Sequence, residues 1–437
     1  MRAAAWITLY LVIVTLPLLV LLFGDDVPPG YEFAWDLAKA LGFAAMSMMG
    51  VQFALTARFH AATSPFGIDI IYFLHRYLAI AALVLVLAHF AIFWIWYQDS
   101  LGELNPLVAP WHMTAGRAAL LAFVATVITS EFREKLHLEY GLWRFAHIVL
   151  AVAGFALTIA HILGVGYYTE APLKRALWLS FTLSWVLLIA WVRIVRPAMQ
   201  QRRPWRVSEV RDEGSDTWTL VLEPAGHRGW RRFQPGQFAW LTLNASPWLT
   251  KEHPFSISSA PHQLPAVEMT IKQLGDFTET IGETRVGDMA YLDGPFGIFS
   301  HQRLPRAEGF VFIVGGVGIT PVIAMLRSMA HDGEPRPLWL FYANPDLGSA
   351  LFKDELDSLA RCLNVQVLHI VQEAPPNWSG LTGLLTQEML EQEIPETLRR
   401  KLHYFLCGPP PMLDAAEEHL TALKVPRRHI HAEIFNL

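Results

Sequence analysis

The sequence predicts a chain in two parts: a bundle of six membrane-spanning helices, then a soluble half joining an antiparallel β-barrel to an α/β domain. Of its 437 residues 53% are hydrophobic and only 17% charged, with a mean hydropathy of +0.31, yet the polar residues gather after about Arg193. Up to that point apolar runs of about twenty residues, the length that spans a bilayer, recur. Beyond it, short alternating runs give way to strands that alternate with helices.

The apolar runs lie near Ala3 to Phe23, Asp36 to Ala57, Ile70 to Tyr97, Met113 to Thr129, Leu142 to Val165 and Leu173 to Val195. Arg2 followed by an apolar run also fits a secretory signal, but Phe23, Gly24 and Asp25 follow it with no small-x-small cleavage site. A retained helix is the expectation, with Pro17 as a tolerated kink. Acids without Lys or Arg mark Gly24 to Trp35 (Asp25, Asp26, Glu32) and Gln98 to Trp111 (Asp99, Glu103) as outer segments. Arg58, the stretch Arg133 to Arg144 and the stretch Arg193 to Arg206 mark the cytoplasmic ends, so the third and fifth spans run outward.

Those two spans carry paired histidines. His75 and His89 are fourteen residues apart, as are His147 and His161. Fourteen residues is close to four helical turns, so both members of a pair face one way, roughly 21 Å apart. His75 and His147 then fall near the cytoplasmic face, His89 and His161 near the outer face. A lone membrane histidine packs, relays protons or binds metal. Two pairs of identical spacing on parallel helices point instead to two bis-histidine b-type hemes, each held by one histidine from each helix.

Zinc needs ligands clustered within a few ångströms, and no Cys-x-x-Cys-His occurs for covalent heme attachment. The two cysteines, Cys362 and Cys407, lie in the soluble half, where neither covalent heme nor a structural disulfide is expected. Ala81, Ala82 and Gly154, near the helix midpoints, fit close approach of a macrocycle or ordinary helix packing. Arg76 and Arg144 fit heme propionates or, by slight preference, positive-inside anchoring.

After a basic, proline-broken linker from Arg196 to Arg206, runs such as Thr217 to Glu223, Phe238 to Leu243 and Val267 to Ile271 predict a small antiparallel barrel. From Gly309 onward come strands Phe310 to Val314, Leu338 to Tyr342, Val365 to Ile370 and Tyr404 to Cys407. The helices are expected from Pro321, over Leu351 to Leu359 and over Met412 to Leu423, covering a parallel sheet on both faces.

Phosphate binding needs backbone N–H groups at a helix N-terminus with nothing blocking approach. The segment Gly315-Gly316-Val317-Gly318-Ile319-Thr320-Pro321 offers that directly after a strand, a weak signal alone. Cys407-Gly408-Pro409-Pro410 ends a later strand at the same carboxyl edge, where open α/β sheets bind ligands. In the barrel, His253-Pro254-Phe255-Ser256 and Gly275-Asp276-Phe277-Thr278 supply the mixture of rings and hydroxyls that a flat flavin with a phosphate tail needs.

With Gly294-Pro295-Phe296-Gly297 and Cys407-Gly408-Pro409-Pro410-Pro411-Met412, these motifs run in an order that resembles the NADPH oxidase and ferric reductase family over nearly the whole chain. The resemblance implies residues 1–195 as a ferric-reductase-like bis-heme domain, 196–206 as a linker, 207–305 as an FAD-binding barrel and 306–437 as an NAD(P)H-binding domain, the last two ferredoxin-reductase-like. It implies FAD contacts for His253, Pro254, Phe255 and Ser256, with Lys272 and Thr278 nearby. It implies that Gly315, Gly316, Gly318, Thr320 and Pro321 cradle the dinucleotide, that Cys407, Gly408 and Pro409 lie by the nicotinamide, and that Phe435 stacks over the flavin. Ser256 stands where many oxidases have threonine, and the chain ends at Leu437, two residues past the aromatic. With nothing before the first span and no calcium-loop pattern, the resemblance implies a minimal, unregulated version.

The implied reaction runs from cytosolic NAD(P)H to FAD, then singly through the inner and outer hemes to an acceptor outside, with no side-chain acid or base and thus no catalytic residue. Short outer segments, Gln98 to Trp111 and Gly166 to Pro172, favour a small or promiscuous acceptor, oxygen giving superoxide ahead of a ferric chelate. A heme-bearing scaffold or proton channel without turnover is the reading from another class, and the intact flavin and nucleotide motifs argue against it. Asn344, Pro345 and Asp346 lack an adjacent arginine for a 2′-phosphate, which leans to NADH, while the family leans to NADPH. The expected setting is a multi-pass cell-membrane protein with both termini cytoplasmic. The lipid bilayer is its only expected standing partner; a net charge of −5 gives no support for nucleic acid, and no obligate protein partner is expected.

Overall fold

The computed structural model describes residues 2–22, 33–59, 68–166, 169, 171–249, 251–376 and 378–434. They form two compact units, Met1–Pro197 and Ala198–Leu437.

The first unit is helical: α1 (Arg2–Leu22), α2 (Phe33–Thr56), α3 (Ile68–Trp96), α4 (Trp111–Glu131), α5 (Tyr140–Val165) and α6 (Pro172–Ala190). Local chemistry sets the ends. Pro172 starts α6, where its missing N–H costs nothing, and Gly166 closes α5 in a positive-φ conformation of 72°. A π-helical turn, Trp191–Val195, carries α6 on into a short helix Arg196–Gln201. Arg196 there donates to the Ala57 carbonyl at the end of α2, at 3.1 Å.

Among the described residues five helices are long and apolar enough to cross a membrane, against six expected spans. The first expected span is α1, whose described apolar stretch is Ala5–Leu16. Large apolar side chains such as Leu121, Leu142 and Leu187 point outward, as lipid contact permits.

The helices pack as two hairpin-like pairs, α2 on α3 and α4 on α5. Met49, Ala82, Leu83, Ala119 and Phe123 fill one core, and Met46, Val51, Phe155, Trp178 and Trp185 another. Ala82 is fully buried in the first core, and a Cβ on Gly154 would meet the Phe123 ring at 3.0 Å. Those two small residues therefore admit neighbouring side chains, while Ala81 is exposed.

In the second unit, β1 (Trp205–Gly214), β2 (Thr217–Pro224), β3 (Phe238–Leu243), β4 (His253–Ser256), β5 (Val267–Lys272) and β6 (Met289–Phe296) form an antiparallel sheet in the order β4-β3-β6-β1-β2-β5. Its ends meet. Ile257 bridges to Met269, and the Ser258 N–H donates to the Glu268 carbonyl at 2.9 Å, closing a barrel around Val207, Leu220, Leu241 and Met269.

The parallel sheet comprises β7 (Phe310–Gly315), β8 (Leu338–Asn344), β9 (Val365–Val371), β10 (Leu381–Thr382), β11 (His403–Cys407) and β12 (Ile430–Glu433), in the order β10-β9-β8-β7-β11-β12. All six residues of β7 are buried, with Phe310, Phe312 and Val314 in one core and Val311 and Ile313 in the other. Helices α7 (Thr320–Asp332) and α8 (Pro410–Ala422) follow β7 and β11.

Barrel and sheet are tied by Arg327 of α7. Its Nη1 donates to the Ser258 carbonyl at 2.8 Å and to Glu268 Oε2 at 2.7 Å, while Nε and Nη2 grip Glu355 at 2.6 and 2.8 Å. Arg211 donates to the other Glu268 oxygen at 2.7 Å. Both carboxylates hold the guanidinium firmly protonated against its burial.

Three histidines of this unit are held neutral. Burial pushes His301, His403 and His431 from the usual 6.5 down to about 4; Arg336 adds to this for His301, and His429 for the other two. Between pH 6.5 and 4 the unfolded chain binds more protons at these sites than the folded one, so stability is full above that window and falls as pH drops through it. Thermal melting of the full chain, followed by tryptophan fluorescence, is expected to show its transition moving down across that range. A flat profile would contradict it.

Candidate functional site

In the helical unit, α3 and α5 bring the four histidines into two cross-helix pairs. The rings of His75 and His147 lie 6.2 Å apart between centroids, inclined at 55°. His89 and His161 stand fourteen residues further along the same two helices. His89 Nδ1 sits 2.7 Å from the Ala38 carbonyl of α2, and His161 Nδ1 sits 2.9 Å from the His112 carbonyl of α4. A carbonyl can only accept, so Nδ1 carries the proton and Nε2 is left as the lone-pair nitrogen.

These two seats match. Four residues beyond each carbonyl stands a glycine, and a Cβ there would meet the imidazole Nδ1, at 3.0 Å for Gly42 and 2.7 Å for Gly116. The absent side chains let each ring lie against the neighbouring helix. At the other pair, Ser130 Oγ lies 3.0 Å from His147 Nδ1, while Arg76 makes a two-pronged ion pair with Glu131 at 2.8 and 2.5 Å. Arg76 thus has a carboxylate partner of its own. On the α3–α4 connection, Arg117 donates to the carbonyls of Leu101 at 2.6 Å and Glu103 at 2.7 Å, pinning the segment to α4.

In the second unit, β4 runs along β3 with Leu241 opposite His253 and Phe238 opposite Ser256. The Phe277 ring stacks on His253 at 4.1 Å and lies 6.0 Å from Phe255, so the two barrel motifs meet through their aromatic rings. Pro254 sits between them on the strand, and the buried Ser256 hydroxyl has no hydrogen-bond partner among the described residues. Lys272 ends β5 opposite Thr217. Thr278 is otherwise engaged: its oxygen accepts from the Leu274 and Gly275 N–H groups at 2.8 and 2.9 Å and donates to the Gly275 carbonyl. Its hydroxyl shapes the turn that presents Phe277.

The strand order reverses direction between β7 and β11, which makes their carboxyl ends the crevice where doubly wound sheets take ligands. Gly315 ends β7, Gly316 adopts a φ of +52° with open space where a side chain would stand, and Thr320 and Pro321 begin α7. A Cβ on Gly318 would overlap the Cys407 carbonyl, and one on Gly408 would sit 3.1 Å from the Gly315 nitrogen. Glycines at those positions let the two turns touch, with Pro409 closing the far side against Gly315. The Thr320 hydroxyl donates to the Val317 carbonyl at 2.9 Å, so it closes its own turn. Cys407 is buried and Cys362 is exposed. Phe435 lies outside the described residues.

A flavin-type barrel beside a doubly wound sheet with a glycine-lined switch point, in a chain that also builds apolar helices, defines a membrane-linked oxidoreductase using FAD and a nicotinamide nucleotide. Three family descriptions match in matching order: a ferric reductase like transmembrane component over residues 41–158, an FAD-binding domain over 207–291 and an oxidoreductase NAD-binding domain over 312–418. The chain is an enzyme with the architecture of the ferric reductase and NADPH oxidase family.

Among curated proteins it is 34% identical to NADH-cytochrome b5 reductase 1 of Mycosarcoma maydis over 153 residues, 34% of this chain and 46% of that one. It is 31% identical to the reductase component of propane 2-monooxygenase from Mycolicibacterium goodii over 239 residues, 52% of this chain and 66% of that one. The chain therefore spans between 46% and 66% of these relatives. Flavohemoglobin from Malassezia yamatoensis shares the fold at a TM-score of 0.50 and 16% identity, covering 92% of this chain and 98% of that one.

Sequence reasoning did not reach Ser130, Gly42, Gly116, Glu131 or the Arg327 seam. Only the two glycines, small residues within apolar helices, left any trace in the sequence.

Proposed function

We propose that this enzyme carries electrons from cytosolic NAD(P)H through FAD and two b-type hemes to oxygen on the outer face of the cell membrane, giving superoxide. The observation that carries the reading is the pairing of His75 with His147. An iron ligated on both sides, at the ~2.0 to 2.1 Å usual for metal-bound imidazole, sets the ring centres roughly 6 Å apart, and these rings stand 6.2 Å apart. Among the described residues no three His, Cys, Asp or Glu side chains converge on one point. His75 and His147 would supply two imidazoles able to complete the ligation of an iron already held by a porphyrin.

When bound, flavin divides a hydride pair into single electrons and the porphyrin irons pass them on one at a time. The chain's residues supply position. Ala38 and His112 hold His89 and His161 through Nδ1 with Nε2 available. His253, Pro254, Phe255 and the Ser256 hydroxyl, which has no partner among the described residues, would hold the isoalloxazine, beside Phe277 and near Lys272. Gly316 leaves open space for a pyrophosphate at the start of α7, while Gly315 and Gly318 let that turn close against Cys407, Gly408 and Pro409 across the crevice. Basic residues clustered at Arg133 to Arg144 and Arg193 to Arg206 support a cytoplasmic dehydrogenase half. The short α3–α4 connection, tied to α4 by Arg117, supports a small acceptor.

Purified protein with FAD and NAD(P)H is expected to reduce cytochrome c in a manner blocked by superoxide dismutase. Turnover only with a ferric chelate, and no superoxide, would make it a ferric-chelate reductase instead. Hemes that NAD(P)H cannot reduce anaerobically would leave a scaffold or channel.

A further inference from the structure

The two rings of the His75–His147 pair are held unequally. Ser130 Oγ donates to the Thr126 carbonyl one turn back, at 2.7 Å. Its only proton is spent there, so toward His147 Nδ1, 3.0 Å away, the oxygen accepts. The His147 ring must therefore carry its proton on Nδ1. Buried His75 Nδ1 has no hydrogen-bond partner among the described residues. The next residue after Ser130, Glu131, grips Arg76, the neighbour of His75. The last turn of α4 thus touches both helices of the pair but orients only one ring.

We propose that Ser130 is a positioning residue for His147: it fixes the Nδ1–H tautomer, aims Nε2 and makes that imidazole the more electron-donating of the two axial ligands. This rests on the two-heme reading. A ligand whose N–H is taken up by an acceptor is more basic and favours the ferric state. Removing the acceptor favours the ferrous state.

The test is optical redox titration of the purified holoprotein, which needs no turnover. Ser130→Ala is expected to raise the midpoint potential of one heme and leave the other unmoved, a ferrous-to-ferric ratio about threefold higher at fixed potential, or ~28 mV for a one-electron couple. Ser130→Cys, which keeps the volume and weakens the acceptor, is expected to move the same potential the same way even if the alanine variant does not accumulate. Ser130→Thr restores the wild-type value. Thr129→Ala, which removes a hydroxyl that among the described residues bonds only to the Ala125 and Thr126 carbonyls of its own helix, leaves both potentials alone. A loss of one heme per chain in Ser130→Ala, regained in Ser130→Thr, supports the same role. Unmoved potentials in both Ser130→Ala and Ser130→Cys, or an equal shift in Thr129→Ala, overturn it. Wild-type protein that purifies without porphyrin instead removes the two-heme reading itself.

Discussion

Replacing His161 by leucine is expected to leave one heme per chain where the wild type has two, and to cut NAD(P)H-driven reduction of an external acceptor by about 100-fold or more. Partners that merely orient a ligand already cost 10 to 100-fold in metal affinity when lost, and this change removes the ligand. The bundle should survive it. His161 lies in a seat opened by Gly116, and leucine fills a comparable volume, at the cost of the Nδ1–H bond to the His112 carbonyl. Flavin bleaching by NAD(P)H is expected to persist, because the crevice proposed to take the nucleotide belongs to the other unit. Heme quantification with anaerobic stopped-flow absorbance reads both halves of this expectation. Two hemes retained in the variant would show that His161 is no ligand.

Gly318→Ala tests the other end of the path. A single methyl group there meets the Cys407 carbonyl and the Gly408 nitrogen, both backbone atoms that no rotamer change can move. The turns after β7 and β11 must part, and with them the surface that would receive the pyrophosphate. A loss in kcat/KM for NAD(P)H of about 10 to 100-fold is expected, or roughly 1.4 to 2.7 kcal/mol. FAD content and dithionite-reduced heme spectra should be unchanged, since neither barrel nor bundle contains the clash. Steady-state kinetics matching wild type would mean the nucleotide does not lie in this crevice.

What could be read from the chain alone was whatever repeats at the period of a helix or follows a strand directly. The fourteen-residue intervals carry their own geometry, and the Gly315 to Pro321 segment announces a turn and a helix start by composition. Contacts between distant segments leave no such mark. Arg327 meets Glu268 across 59 positions, and His89 meets the Ala38 carbonyl across 51. Two motif residues also show why a pattern does not fix a role: Thr278 and Thr320 spend their hydroxyls on their own turns. Phe123 beside Gly154, and Ala82 buried in the same core, are likewise neighbours that only the three-dimensional structure reveals.

The Arg327 seam bears on how the enzyme should respond to salt. Bulk ions weaken attraction between exposed charges but hardly reach a guanidinium shielded on both sides by carboxylates and protein. Raising ionic strength would then leave the alignment of barrel and nucleotide sheet intact, and any change in turnover would report how charged molecules arrive from solution.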